Sequence, residues 1–462
     1  MQSTGSPENE KRWTVGTLSY TKAGLIVLCF WMLWGDFATS LQERSVPKVV
    51  QLLFIRFHAS NTLYVVFTTV LPALITLFVS PVISYNSDRH RGRWGRRIPF
   101  ILFPVPLIVA AIIGMAFGPT LGIHLHHFLG SHSPGLDTST LLLLGLFWVL
   151  YAFGGTVIGS VFGGLVNDVV PPEVLGKFFA MWRIIGLAAA IDFFWYLMGM
   201  AQARYFEIFL GLALLYGIGY SLMCFKVKEG NYPPPPEKAA KGEKGIVAFV
   251  DKTVIGIKTY FRECFMKPYY LAYFAAGITM GLMVSPVNWF DIPSANSFHL
   301  SMAGYGGCMV VTYSVSMVMA YPLGMLVDRF HPLPLTIIGV GIYGTCVFLG
   351  GLFIKDASTL AVFYVMHGIA AGIINTVSAS NAQRILPRAR FAELGSANGI
   401  LGCICSIIFS FSIGFLLDHV VHNNYLYCYY LAAILCVVSL SLYAFVYRKF
   451  LALGGPKNYI AP

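Results

Sequence analysis

The sequence predicts an all-α membrane protein whose twelve transmembrane helices form two six-helix halves, and three observations support this fold class. Among 462 residues, 57% are hydrophobic and only 11% are charged, with a mean hydropathy of +0.70. Apolar segments of about 20 residues, long enough to cross a ~30 Å hydrocarbon core, recur along almost the whole chain. Short motifs also repeat at corresponding places in the two halves. Because soluble domains carry about a quarter charged residues, an ordinary water-soluble enzyme is excluded.

The positions of the spans follow from hydropathy alone. They are expected near residues 22–41, 61–85, 99–118, 139–166, 177–201, 204–225, 268–290, 301–327, 334–354, 359–382, 395–417 and 425–447. A long polar connector between spans six and seven divides the chain six and six. The predicted segments are a cytoplasmic N-terminal tail, a first bundle, the connector, a second bundle and a cytoplasmic C-terminal tail, at 1–21, 22–225, 226–267, 268–447 and 448–462.

The distribution of basic residues predicts the orientation. An even number of spans puts both termini on one side of the membrane. With that side inside, 25 Lys and Arg side chains fall in cytoplasmic segments and five fall outside, as the positive-inside rule requires. The net charge of +11 therefore reflects the orientation of the chain in the membrane and does not indicate nucleic-acid binding. The predicted surroundings are the lipid bilayer of a plasma (inner) membrane.

The connector has two parts of different composition. Pro233 to Pro236 form a proline run. In the second part, apolar residues recur at helical spacing opposite Lys252, Lys258 and Arg262; they are Ile246, Phe249, Val250, Val254, Ile257 and Phe261. This pattern is typical of a helix lying on an anionic inner leaflet, and a solvated tether with a short helix is the equally weighted alternative.

The two halves echo each other. An Asp-Arg pair ends the second span of each half, at Asp88-Arg89 and at Asp328-Arg329. Spans four and ten both carry glycines at every fourth position, namely Gly155, Gly159 and Gly163, and Gly368 and Gly372. Corresponding features at corresponding places predict a duplicated six-span unit, in which the glycines allow close helix packing.

The loop after span two carries the most specific motif. Ser87 to Phe100 read S-D-R-x-R-x-R-W-G-R-R-x-P-F. With the twelve spans, this string resembles the major facilitator superfamily, and within it the glycoside-pentoside-hexuronide:cation symporters and their sucrose-transporter relatives. The resemblance implies alternating access, with loop charges that gate the cavity and Asp88 close to the start of span eleven. The implied gating residues are Asp88, Arg89, Gly95, Arg96, Arg97, Asp328 and Arg329.

Span one supplies the first candidate for substrate binding, because charges inside spans are expensive. Asp36, Thr39, Ser40 and Glu43 recur at helical spacing and form a polar stripe on an otherwise apolar helix. Counted from Lys22, Asp36 is expected roughly 20 Å from the cytoplasmic surface, in the outer half of the span. The segment Gly35-Asp36-Phe37-Ala38 also resembles a first-span segment of the glycoside symporters whose Asp holds sugar hydroxyls. A carboxylate near the outer headgroups is the alternative.

Span five carries two further charges, Arg183 and Asp192, which nine residues place on opposite helix faces. Asp192 is expected to share a face with Trp195 and Tyr196. Arg183 resembles in position an early fifth-span arginine that contacts sugar in the same family. Alternatively, it snorkels inward or pairs with Asp168 or Glu173.

The second half offers corresponding groups. Ser285, Asn288 and Asp291 follow one another at three-residue steps in span seven, and span ten carries three further polar residues. The family arrangement implies that spans one, four, seven and ten surround the cavity. Carboxylates, amides and aromatic rings are the groups that bind a polyol, so the predicted transport substrate is a sugar or glycoside. The predicted substrate-binding residues are Asp36, Thr39, Ser40, Arg183, Asp192, Trp195, Asn288, Trp289 and Asn375.

Coupling is predicted from the remaining ionisable groups. The resemblance implies a sodium site with acids in spans two and four, but the predicted spans 61–85 and 139–166 contain neither Asp nor Glu. The candidates for a proton carrier are Asp36, Asp192 and His367. Proton symport is therefore predicted, and uncoupled facilitation is the competing hypothesis.

Other classes of function are weighed last. Four outer histidines, His124, His126, His127 and His132, lack Cys or carboxylate partners and favour a polar loop over a metal site, so no metal or cofactor is predicted. A membrane enzyme would need a motif such as GxSxG or HExxH, and neither string occurs. Export of another small organic solute and a receptor built on a transporter fold are the remaining alternatives.

Overall fold

The computed structural model describes residues 12–232, 265, 267–387 and 390–462. Within these ranges twelve helices are long and apolar enough to cross a membrane. Since a bilayer core offers the backbone no water, apolar sequence must pair its N–H and C=O groups within the segment, as a helix does. The predicted fold class is confirmed. Spans one to twelve are Lys22–Arg56, Asn61–Arg89, Ile98–His132, Leu136–Val169, Pro172–Met200, Tyr205–Lys226, Pro268–Trp289, Met302–Phe330, Pro332–Phe353, Ala357–Ile385, Glu393–His419 and Leu426–Ala452.

Side chains cap the first turns of several spans. The hydroxyls of Thr21, Ser60 and Ser301 each accept from the backbone N–H three residues further on, at 3.1 to 3.2 Å. Before span ten, Asp356 and Thr359 form a reciprocal capping box. These caps supply acceptors that the first helical turn lacks, and they therefore fix where the spans begin.

Span one is a helix of 35 residues and is longer than predicted. It continues beyond residue 41 to Arg56, with Pro47 inside it. The predicted end of span one near residue 41 is therefore wrong, and Arg44 and Lys48 belong to the helix. Hydropathy falls where these charges cluster, but a helix persists because polar residues among them, such as Ser45, are buried against protein. Asp36 consequently lies near the middle of the helix.

Elements outside the spans are short. Residues Trp13–Val15 (β1) and Leu18–Tyr20 (β2) pair antiparallel. They lie in the segment 1–21, for which the sequence predicts a tail. Two short helices, Asp291–Ser297 and Gly455–Asn458, follow spans seven and twelve. Span three also runs further than predicted. Its α-helix Pro104–Leu129 contains His124, His126 and His127, and His132 lies in the 3₁₀ turn Gly130–His132 that ends the span.

The chain forms two compact units. The first contains the described residues of Met1–Phe57, Leu74–Phe193 and Ala201–Pro236, and the second contains those of His58–Ala73, Phe194–Met200 and Glu237–Pro462. Spans two and five thus contribute to both units. Each is interrupted by a π-helical turn, at Val66–Val70 and at Phe193–Leu197. Such a turn changes which residues share a helix face, so the two parts of each span present different faces.

Within the second unit, span eleven packs closely on the start of span two. A Cβ atom added to Gly414 would lie 2.8 Å from Cα of Thr62 and 2.9 Å from Cγ2 of Val65. By contrast, a Cβ added to Gly399 on the same span would meet nothing within 4 Å. The close approach of spans eleven and two therefore requires a glycine at position 414, whereas position 399 has room for a side chain.

This contrast predicts different effects of the same substitution. Gly414→Ala forces the two helices apart and should destabilise the protein by about 1–3 kcal/mol, as overpacking does. Gly399→Ala should leave stability unchanged or raise it by up to about 1 kcal/mol, because alanine favours the helix. Thermal unfolding of both variants in detergent checks this. Equal melting temperatures would contradict the close packing at Gly414.

Candidate functional site

Asp36 lies in span one beside a glycine that allows close packing on span six. A Cβ on Gly35 would meet the side chain of Met223, so the two helices approach each other at this point. Asp36 is next along the helix and is 4% exposed. The sequence thus places a carboxylate inside the first unit, where its hydrogen-bond partners must come from surrounding side chains.

Asp36 is surrounded by residues of span one and span five. Ser40, one turn further along span one, donates its hydroxyl to Asp36 Oδ1 at 3.4 Å. Trp182 lies beside the carboxylate, and a Cβ on Gly186 would lie 3.1 Å from Ser40 Oγ. The second oxygen, Asp36 Oδ2, accepts no hydrogen bond from the residues that the structure describes. A buried acceptor of this kind is costly unless a donor reaches it.

The rest of the polar stripe faces aromatic side chains of the first unit. Thr39 lies beside Tyr220 of span six, and Gln42 lies beside Tyr151 of span four. Glu43 lies at the surface of the unit although it is within the span. The predicted stripe is therefore a real face of the helix, and hydroxyl groups as well as the carboxylates line it.

The predicted residues of span five lie on its exposed surface. Arg183 and Asp192 are both exposed, and the unbroken helix Pro172–Asp192 keeps them on opposite faces. Trp195 is exposed too, but it lies in the π-helical turn. That Asp192 and Trp195 share a face stays a prediction. Trp182 was missed, because no local pattern distinguishes it from a packing tryptophan.

The second unit brings Asn288 of span seven and His367 of span ten together. His367 is 3% exposed, and its Nε2 lies 3.1 Å from Asn288 Oδ1. Its Nδ1 lies 2.9 Å from the hydroxyl of Tyr343 in span nine, which also donates to the Met283 carbonyl at 3.3 Å. Sequence reasoning identified the histidine and the amide but missed Tyr343, which lies 24 residues from its partner.

Other predicted residues of the second unit have different surroundings. Trp289 packs against Phe409, with ring centroids 6.3 Å apart, and Asn375 is exposed. Asp291 does not continue the stripe of Asn288, because span seven ends at Trp289. Its carboxylate instead accepts from the Tyr305 hydroxyl at 2.6 Å inside the unit.

The loop between spans two and three forms a charged cluster with the end of span four. Arg96 binds both oxygens of Asp168, at 2.8 and 2.9 Å, and Arg97 Nε binds Asp168 at 2.6 Å. Burial opposes the charge of Arg96, but the hydrogen bonds and charge of Asp168 outweigh it and raise the pKa of Arg96. Such charge-assisted pairs are stronger than neutral hydrogen bonds.

Glu229 completes this cluster from the beginning of the connector. Its carboxylate accepts from the backbone N–H groups of Arg96, Arg97 and Ile98 at 2.7 to 3.0 Å and caps the start of span three. The Tyr232 hydroxyl lies 2.9 Å from Glu229, and burial together with that carboxylate raises the pKa of Tyr232. Gly95 has φ +98°, a conformation that favours glycine. Sequence reasoning identified the arginines and Gly95 but missed Glu229 and Tyr232.

The paired Asp-Arg motifs are more exposed than this cluster. Asp88 binds Arg97 at 3.0 Å, and Arg89 stacks on Tyr85. In the second half, Asp328 binds Arg384 at 3.5 Å with 85% of its side chain exposed. Arg329 lies over the ring of Phe330. The duplicated motif therefore has different contacts in the two units.

A second carboxylate that caps a helix lies in the second unit, at the start of span two. Asp418 of span eleven accepts from the backbone N–H groups of Asn61 and Thr62, both at 2.8 Å. It also accepts from both of their side chains, at 2.8 and 2.6 Å. Asn61 in turn donates to Asn423 at 2.6 Å. Sequence reasoning missed this contact, because the partners lie more than 350 residues apart.

Twelve spans, ionisable groups buried midway along them and charge clusters at their ends define an integral multi-pass membrane protein of the transporter class. The model of the Major Facilitator Superfamily matches residues 23–410 and, separately, 269–456. The chain therefore belongs to the Major Facilitator Superfamily and is a transporter of the secondary type, as the loop motif indicated. The second match begins one residue after the predicted start of the second half.

Named relatives add detail. Sucrose transport protein SUT5 of Oryza sativa subsp. indica is 28% identical over 130 residues, which is 27% of this chain. The matched region is only 24% of the length of that protein. A bacterial homologue of the iron transporter ferroportin has a TM-score of 0.65 at 16% identity, over 91% of this chain and 99% of its own. A D-xylose-proton symporter has a TM-score of 0.60 at 14% identity, over 91% and 96%. These structures share the fold.

The charged clusters predict unequal effects of two matched substitutions. Asp168→Asn leaves Arg96 and Arg97 without their carboxylate in a site where Asp168 is 14% exposed, and it should cost about 2 kcal/mol or more. Asp328→Asn removes an exposed pair and should cost about 0–1 kcal/mol. Thermal unfolding in detergent measures both. If Asp328→Asn lowered the melting temperature as much as Asp168→Asn does, the charged cluster would not contribute the stability proposed for it.

Proposed function

We propose that this transporter carries a sugar or glycoside by alternating access, in symport with protons. The observation that carries the proposal is the buried carboxylate of Asp36, which has one weakly paired and one unpaired oxygen. A polyol hydroxyl is a donor that suits such an acceptor. Trp182 lies beside this carboxylate, and its ring stacks on Phe179 with the centroids 5.6 Å apart, so the wall next to Asp36 is aromatic, as sugar sites commonly are. The named relatives include a sucrose and a xylose transporter, which supports this substrate class.

The hydrogen bonds of His367 support proton coupling. While Tyr343 donates its single hydrogen to Met283, His367 Nδ1 must donate to Tyr343, and Nε2 faces the acceptor Asn288 Oδ1. Both ring nitrogens then donate, as in the charged imidazolium. In the neutral ring, Tyr343 turns and donates to Nδ1 instead. One hydroxyl rotation thus accommodates either protonation state, which suits a proton carrier.

Asp36→Asn tests the substrate site. Uptake of radiolabelled sucrose, D-xylose and D-glucose is measured in proteoliposomes of the purified protein. Losing a charged hydrogen bond to the substrate should raise KM about 10- to 100-fold for the transported sugar. Asp137→Asn, an exposed carboxylate in the first turn of span four, is the control and should leave uptake unchanged. If wild type carries none of the three sugars, or if both variants behave alike, the proposed site is wrong.

His367→Gln tests the coupling separately. Counterflow needs only exchange of substrate and should persist, whereas accumulation driven by an imposed pH gradient should be lost. Tyr343→Phe should weaken accumulation in the same direction, because it removes the rotating hydroxyl. Wild-type uptake that ignores the pH gradient would instead establish uncoupled facilitation. Equal loss of counterflow and accumulation in His367→Gln would assign the histidine to structure or substrate binding.

A further inference from the structure

A cavity in the first unit borders the charged cluster around Glu229 but is separate from the candidate substrate residues. It has a volume of about 350 Å³ and lies where span three begins and span six ends. Its polar wall includes Arg93, Lys228 and Glu229, and its apolar wall includes Ile98, Leu102 and Phe225. The volume is at the small end of ligand pockets and suits a headgroup, whereas attached chains would extend outside it.

The charges of this cavity favour an anion. Arg93 and Lys228 are exposed, and within the described parts of the chain neither makes an ion pair. The carboxylate of Glu229 also borders the cavity, but it is engaged by three backbone N–H groups and by Tyr232. Two cations of the cavity are therefore available to a ligand. Arginine in particular matches the geometry of a phosphate group.

Exposed apolar side chains border the same cavity. Trp94 is 54% exposed and Phe225 is 60% exposed, and their rings meet edge to face at 6.3 Å. Tryptophan beside basic residues is typical of the membrane–water interface. The positive-inside distribution predicts that this end of the spans faces the inner leaflet. An amphiphile with a negative headgroup matches both walls, whereas a soluble anion would use only one of them.

We propose that this cavity, between the first turn of span three, the last turn of span six and the start of the connector, binds the phosphate headgroup of an anionic phospholipid. Arg93 and Lys228 contact the phosphate, and acyl chains lie along Phe225 and Leu102. This site is distinct from the amphipathic segment predicted in the connector, which lies outside the described residues. It also does not depend on which solute is transported.

Native mass spectrometry of the full chain with dioleoyl-phosphatidylglycerol and dioleoyl-phosphatidylcholine tests the proposal. A direct charge-assisted contact with the phosphate contributes at least about fivefold to affinity, so Arg93→Gln with Lys228→Gln should weaken phosphatidylglycerol binding about 25-fold or more. Phosphatidylcholine binding should not change. The control combines Arg91→Gln and Lys226→Gln, which removes the same charge from the same two segments without touching the cavity. It should alter affinity less than about twofold.

Single variants keep the test decisive if a double variant misfolds. Lys228→Gln should weaken phosphatidylglycerol binding about fivefold, and Lys226→Gln should not. Equal effects of the test and control variants would assign binding to diffuse surface charge and overturn the site. Displacement of phosphatidylglycerol from wild type by millimolar inorganic phosphate would show that the cavity is a soluble-anion site, which also overturns the proposal.

Discussion

A helix N-terminus buried away from water must find acceptors for its first backbone N–H groups, and this constraint organises both ends of the spans. Glu229 accepts from three N–H groups at the start of span three, and Asp418 accepts from two at the start of span two. In both cases the carboxylate comes from a distant segment and meets the positive end of a helix dipole. A single side chain thus satisfies the backbone, balances its own charge and joins two elements.

The same constraint explains why the duplicated motif behaves differently in the two units. In the first, Arg96 and Arg97 enclose Asp168 beside the helix start that Glu229 caps, so each charge has a partner and little access to water. In the second, Asp328 is exposed and can rely on solvent, so its pair with Arg384 is long. The sequence repeat preserved the Asp-Arg pair. The contacts around it depend on which further acids each unit provides.

The fold was largely predictable because the spans are local features. Hydropathy is a property of short segments, and it located every span; caps such as Thr21 and Ser60 likewise act over a few residues. Span one was cut short because hydropathy averages over charges that the folded helix tolerates. In the site, Asp36 and His367 could be found because ionisable residues are rare in apolar helices. Their partners Trp182 and Tyr343, like the long-range caps, could not, because nothing in the local sequence encodes a contact between distant spans.

Asp36 and His367 differ in a way that favours different tasks. A group that binds a substrate should keep hydrogen-bonding capacity for it, because a protein partner would have to be displaced first; Asp36 keeps an oxygen without a partner among the described residues. A proton carrier should be satisfied both with and without its proton, because an unpaired state would be penalised. His367 meets that condition through the Tyr343 hydroxyl. Substrate and proton would then be linked because both bias the same conformational equilibrium, and such linkage is reciprocal.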